Sequence, residues 1–107
     1  MSLCIVYMTA ADRDEALRIG RALVDERLAA CVNVLGEITS IFRWDGAVQQ
    51  EGEVAFIAKT SAAMVDALAA RVTELHSYDT PCVVALPIAA GAAPFLKWLE
   101  VEVGEGA

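Results

Sequence analysis

Between Ala30 and Thr60 the chain reads as two strands of about fourteen residues each, folded back on one another at Asp45-Gly46 and bracketed by amphipathic helical segments. At ~3.3 Å per residue such a strand reaches roughly 46 Å, whereas a domain of about 100 residues with a radius of gyration of about 13 Å is a sphere only about 34 Å across. The hairpin must bend or project from its own subunit. Projecting, it carries Ile38, Ile41, Phe42, Trp44, Val54 and Phe56, an apolar patch beside open strand edges of the kind that soluble proteins cover. Copies of the chain are expected to cover one another.

The segments around the hairpin complete one topology. Leu3 to Thr9 is a short apolar run of β-formers and reads as a buried strand. Asp12 with Glu15 forms a capping-box pattern that starts a helix, in which Ala16, Ile19, Gly20, Leu23 and Val24 recur on one side up to Leu28 while Arg13, Arg18, Arg21 and Asp25 take the other. In the first arm of the hairpin Ile38, Ser40, Phe42 and Trp44 share a face, with Thr39, Ile41 and Arg43 opposite. Val48 begins the return arm, and Glu51-Gly52-Glu53 predicts a bulge in it. Thr60 or Ser61 is expected to cap a second helix whose buried stripe is Val65, Leu68, Ala69, Val72 and Leu75. His76 to Pro81 breaks that helix, Cys82 to Ile88 is a further strand, and Pro94 opens a short last helix containing Phe95, Leu96, Trp98 and Leu99. The order is β-α-β-β-α-β with a terminal helix, without repeats or linkers, which predicts a single α+β domain over residues 1–107. Right-handed crossovers make it a ferredoxin-like antiparallel sheet with both crossover helices on one face.

Charge and hydropathy narrow the partners. A net charge of −7 with eight scattered basic residues offers no track for phosphates, so no nucleic-acid partner is expected. A mean hydropathy of +0.50 and an apolar fraction of 57% are high for a small domain and favour an oligomer, although twenty alanines inflate the second figure. The N-terminal run lacks a basic start, and no segment has the ~18 consecutive apolar residues that span a membrane. Three cysteines, an odd number, read as reduced thiols in the cytoplasm.

No glycine-rich phosphate loop, nucleophile elbow or Cys-x-x-Cys pair is present, so no catalytic residue is assigned and the chain is not expected to be an enzyme. Cys4, Cys31 and Cys82 are of a type that suits soft metals, but free cysteines also fill buried strand positions. The inferred sheet places Cys4 and Cys31 near one end, about 9 to 10 Å apart, and Cys82 at the other, which argues against a three-thiolate site in one chain. His76 is either a last-turn residue against the helix dipole or a surface ligand. Lys59 at a strand end is either solvated or an anion contact, and Trp44 beside the turn reads as an intersubunit anchor.

Six pieces in register carry a resemblance: Ala29-Ala30-Cys31-Val32-Asn33; Thr39-Ser40-Ile41-Phe42-Arg43-Trp44-Asp45-Gly46; Glu53-Val54; Lys59-Thr60; Glu74-Leu75-His76-Ser77-Tyr78-Asp79-Thr80-Pro81; and Leu86-Pro87-Ile88. Over nearly the whole chain this resembles the CutA family, the divalent-cation tolerance proteins. The resemblance implies a ferredoxin-like homotrimer with strands completed across subunits, similar in architecture to the PII signal-transduction proteins, and a link to tolerance of copper and other divalent cations. Carried over by position, Cys31, Lys59, His76, Tyr78 and Asp79 fall in the family's motifs, as do Trp44 and Glu53. Ser77 stands where the family often has proline, which is expected to loosen that turn, and Cys4 and Cys82 lie outside the motifs.

The leading expectation is a cytoplasmic, homotrimeric, metal-responsive binding protein. Lys59, Tyr78, Asp79 and Glu53 are its ligand-cleft candidates, Cys31 and His76 from neighbouring subunits its candidate ligands for copper or another divalent cation, and Trp44, Phe42 and Ile41 its trimer interface. One rival is a PII-like signalling or scaffold trimer that binds a small metabolite or a protein. The other is an enzyme using the same cleft, with His76 or Asp79 carrying protons and Lys59 holding an anionic substrate. An exposed, shifted His76 beside Lys59 favours catalysis, an exposed thiolate cluster favours metal, and neither favours the scaffold.

Overall fold

A computed structural model describes residues 2–103; Met1 and residues 104–107 of the expected domain lie outside the described residues. Strands β1 (Leu3–Ala10), β2 (Cys31–Trp44), β3 (Ala47–Ser61) and β4 (Val83–Pro87) alternate with helices α1 (Arg13–Asp25), α2 (Val65–Leu75) and α3 (Ala93–Glu102). The sheet has the order β2-β3-β1-β4, antiparallel throughout. This is the expected α+β topology, with β2 and β3 as long as the sequence implies. The long axis of the molecule is 44 Å against 26 and 21 Å across.

One face of the sheet holds the core. Cys4, Val6, Met8, Val54, Phe56 and Ala58 pack there against Ala16, Ile19 and Leu23 of α1 and Leu68 and Val72 of α2. Val54 and Phe56 are therefore buried rather than displayed. They lie in the half of β3 that runs between β2 and β1, so only the outer half of the hairpin projects. Gly20 allows α1 to close on β2, since a Cβ there would stand 2.9 Å from Val32 Cγ1. Val24 turns out of the predicted stripe and is exposed. A second, smaller cluster of Leu3, Ala30, Leu99 and Val103 seats α3 at the end of the sheet where β1 and β2 begin.

Two local expectations are corrected. The bulge lies in β2, where the register shifts between Val34 and Gly36, while Gly52 pairs regularly with Thr39. Gly36 has φ +126°, a conformation that L side chains rarely adopt, so the extra residue is accommodated there. Thr60 and Ser61 do not cap α2. Both remain in β3, a 3-10 turn over Ala62–Met64 leads into the helix, and the Thr60 hydroxyl donates to the Leu28 carbonyl at 2.7 Å. Backbone pairing of Cys4 with Thr60 and of Leu3 with Ser61 extends the ladder past the point where hydroxyls suggested a helix start.

Candidate ligand cleft beside the hairpin

The bulge sets which face of β2 meets the second face of the sheet. Before it, Asn33 pairs with Ile57, which is opposite Tyr7; after it, Ile38 pairs with Glu53, Ser40 with Glu51 and Phe42 with Gln49. Cross-strand partners share a face. One inserted residue therefore moves the even-numbered side chains, Phe42 and Trp44 among them, to the face away from α1 and α2.

The turn after α2 closes the other side. His76 ends the helix by donating its backbone N–H to the Val72 carbonyl at 2.9 Å, and its ring is wholly buried, 0% exposed. Nε2 lies 2.8 Å from the Thr9 carbonyl, and Nδ1 accepts the Tyr78 backbone N–H at 3.0 Å. A carbonyl only accepts and an amide N–H only donates, so the network assigns the ring proton to Nε2. The ring also lies against Tyr78, with centroids 4.6 Å apart.

Glu15 ties this turn to the start of α1. Its side chain is 6% exposed; Oε1 accepts from the Ala11 N–H at 2.9 Å and from the Ser77 hydroxyl at 3.1 Å, and Oε2 accepts from the Ser77 N–H at 2.8 Å. Asp12 Oδ1 in turn accepts the Glu15 N–H at 2.8 Å, as the capping pattern predicted. Burial alone would raise the Glu15 carboxyl, but the hydrogen bonds from Ala11 and Ser77 hold it below the usual carboxylate range. Ser77 fastens the turn instead of loosening it. A proline there would lack both the N–H and the hydroxyl that Glu15 accepts.

So fixed, Tyr78 reaches across and donates its hydroxyl to Glu53 Oε2 at 2.9 Å. Burial first, then the hydrogen bond to Glu53 and the negative charges of Glu53, Glu15 and Glu51, push its phenol up to about 12. Between this turn and the outer hairpin lies a cleft of 580 Å³. Phe42, Trp44 and Tyr78 supply aromatic rings, Glu51, Glu53 and Asp79 supply carboxylates, and Thr9 and Cys82 lie in its wall. Burial and the charge of Glu53 push the Cys82 thiol up, so the thiolate is disfavoured there. A shallower hollow of 340 Å³ between α1 and β2 holds none of the expected site residues.

Five of the expected site residues thus meet: Glu53, Tyr78, Asp79, Trp44 and Phe42. Ile41 points to the other face of the hairpin and is 68% exposed. Lys59 is not in the cleft. It pairs with Cys31 and with Ile5 at the other end of the sheet, donates to Asn33 Oδ1 at 2.6 Å and lies 5.8 Å from the Phe95 ring centre. Cys31 packs against the α3 cluster, whereas His76 sits at Thr9, four residues further along β1, about 13 Å in strand rise. A single chain therefore does not bring Cys31 and His76 together, and both imidazole nitrogens already have protein partners. Among the described residues no three His, Cys, Asp or Glu side chains are grouped to hold a metal, so within one chain the donors do not fit a copper centre. Glu15 was legible only as a cap; the Asp12-x-x-Glu15 spacing signals it, but its hold on Ser77 depends on the turn folding back over α1.

A four-stranded antiparallel sheet with two crossover helices on one face and a pinned turn beside a long hairpin defines a ferredoxin-like domain. Comparison with known proteins places it further. The chain belongs to the CutA1 divalent ion tolerance protein family, whose model matches residues 4–102. The divalent-cation tolerance protein CutA of Thermus thermophilus is 43% identical over 94% of this chain and 97% of its own length. Human protein CutA is 39% identical over 92% of this chain but only 55% of its own length, and the chain likewise spans about half (53%) of the chloroplastic CutA of Arabidopsis thaliana. Among solved structures, CutA1 from Oryza sativa superposes with a TM-score of 0.95 at 37% identity, covering 98% of this chain and 96% of that one. The Thermus thermophilus protein gives 0.93 at 42%, covering 95% and 99%. No helix among the described residues is long and apolar enough to cross a membrane.

Proposed function

We propose that this chain works as a homotrimeric, PII-like binding protein that serves divalent-cation tolerance through ligand-dependent contacts at the hairpin cleft. The observation that carries the reading is the hairpin itself: Trp44 is 64% and Ile41 68% exposed on a single chain, while β2 and β4 form the two edges of the sheet. Exposed aromatic side chains beside unpaired edges are what a second copy covers, and the family resemblance supplies three as the number. The cleft opens beside those residues, so assembly and ligand binding are coupled through Trp44 and Phe42.

Within one chain the enzyme alternative lacks its geometry, because Lys59 stands at the opposite end of the sheet from both His76 and Asp79. Copper held by Cys31 and His76 requires two chains and the release of an imidazole from Thr9 and Tyr78. Three unpaired cysteines suit the reducing cytoplasm. Light scattering coupled to size exclusion tests the assembly, with a mass of three times 11.4 kDa at micromolar concentration expected. A monomer refutes it.

A further inference from the structure

We propose that the outer hairpin is a lever hinged at the Gly36 bulge and latched by the Tyr78–Glu53 hydrogen bond, which sets the direction in which Trp44 meets a second copy; the proposal rests on the trimeric reading above. The sheet stops supporting the hairpin at one level. β1 ends at Ala10, whose partner is Val54, and beyond that pair residues 38–53 bond only to one another across the β2-β3 ladder. None of them is buried, and none belongs to the core that packs on α1 and α2. A two-stranded ribbon on its own is marginally stable in water, so its orientation depends on how its base is fixed.

The base contains the bulge. The register shifts between Val34 and Gly36, opposite Phe56 and Ala55, where the ladder is interrupted and the strand bends. Gly36 has φ +126°, and a Cβ there would meet nothing within 4 Å, so no packing resists a change of bend at that point. Trp44 stands eight residues further along β2, about 26 Å in strand rise, so a tilt of about 10° at the bulge moves it by about 5 Å. One side-chain bond opposes that tilt. Among the described residues, the only side-chain hydrogen bond from residues 38–53 to the rest of the chain is the one that Glu53 Oε2 accepts from the Tyr78 hydroxyl at 2.9 Å. Further out, the 580 Å³ cleft lies between the turn and the ribbon. Tyr78 is itself held, by its N–H on His76 Nδ1 and its ring against the imidazole, and the neighbouring Ser77 is fastened to Glu15. A phenol anchored to the helix layer thus fixes a carboxylate at the base of the ribbon, which makes Tyr78 a positioning residue for Trp44. Orienting an interface side chain in the free subunit removes an ordering cost from association.

Amide hydrogen exchange read by mass spectrometry, together with the trimer dissociation constant from dilution light scattering, tests this on the full chain. Tyr78→Phe and Glu53→Ala remove the bond, whereas Glu53→Gln keeps an acceptor oxygen and should restore it. Loss of one such bond corresponds to about fivefold in an opening equilibrium. Amides of residues 38–53 should therefore exchange about fivefold faster in the first two variants and at the wild-type rate in the third. Each free subunit then presents a correctly directed hairpin about fivefold less often, and three subunits together weaken the trimer about a hundredfold. Ribbon amides that keep their wild-type rates while those of β1 speed up refute the latch, because the bond then stabilises the subunit without governing the hairpin. Equal exchange in Glu53→Gln and Glu53→Ala refutes it too, and an unchanged dissociation constant in Tyr78→Phe refutes the orientation of Trp44. A wild-type protein that is monomeric at micromolar concentration refutes the assembly reading instead, and the ribbon exchange rates still decide the latch.

Discussion

Replacing Glu15 by glutamine tests the network that positions the cleft. The substitution preserves shape and volume, so no cavity confuses the result. It removes a charge that accepts three hydrogen bonds, from the Ala11 N–H, the Ser77 N–H and the Ser77 hydroxyl. The amide oxygen can take the place of Oε1 and keep two of them at neutral strength. The amide nitrogen then faces the Ser77 N–H, donor against donor, and that bond is lost. Charge assistance is worth about 1 kcal/mol per bond over a neutral one, and the lost bond about 1 kcal/mol more. Relief from burying a carboxylate offsets about 1–2 kcal/mol, leaving a net destabilisation of about 2 kcal/mol at pH 7.

The pH dependence gives this estimate a second handle. The folded-state Glu15 lies below its ordinary value, so its contribution is fully present above the unfolded carboxylate range, near pH 4.3, and is lost as pH falls through the lower folded-state value. Guanidinium denaturation followed by circular dichroism, at one fixed protein concentration because assembly contributes to stability, should show the variant weaker at pH 7. The difference should shrink as pH falls from about 4.3 toward 3. A difference below ~1 kcal/mol at pH 7, or the same difference at both pH values, refutes the account of Glu15 as an ionised anchor.

Three other outcomes are expected. Trp44→Ala should weaken trimer formation by ~2 kcal/mol or more while leaving the helical signal of each subunit intact; an unchanged dissociation constant in dilution light scattering counts against the anchor. Tyr78→Phe should cost about 1 kcal/mol at neutral pH, and because the phenol is raised to about 12 its stabilisation persists below pH ~10 and disappears as pH rises through 12, so wild type and variant converge in alkaline denaturation curves. Anaerobic Cu(I) calorimetry under reducing conditions should give the same affinity for wild type and His76→Ala, since that imidazole is already engaged at both nitrogens; a large loss restores it as a ligand.

Local pattern made the element order legible. Alternation in β2, the Asp45-Gly46 turn, the Asp12 cap and Pro94 at the start of α3 each act over a few residues, and each is found where the sequence places it. The motif pieces also identified Glu53, Tyr78 and Asp79 as candidates, and the hydrophobic residues of the outer hairpin as unsatisfied in one chain. The less legible features depend on partners distant in sequence. Hydroxyls at Thr60 and Ser61 read as caps, yet pairing with β1 keeps both in a strand.

Glycine alone does not reveal which strand carries a bulge. The sequence reading placed the bulge at Gly52, and only the register between β2 and β3 puts the extra residue before Gly36. That single residue decides which face receives Phe42 and Trp44. The same holds for His76: nothing near it in sequence announces that Thr9, 67 residues away, will occupy its Nε2 and bury it. The sequence by itself determined the α+β order, the over-long hairpin and the acidic, apolar character of the chain, because these follow from residue type and spacing. Only the tertiary structure decided that Glu53, Tyr78 and Asp79 share a cleft while Lys59 and Cys31 lie at the far end of the sheet, because side-chain neighbours across a sheet are set by register and strand direction.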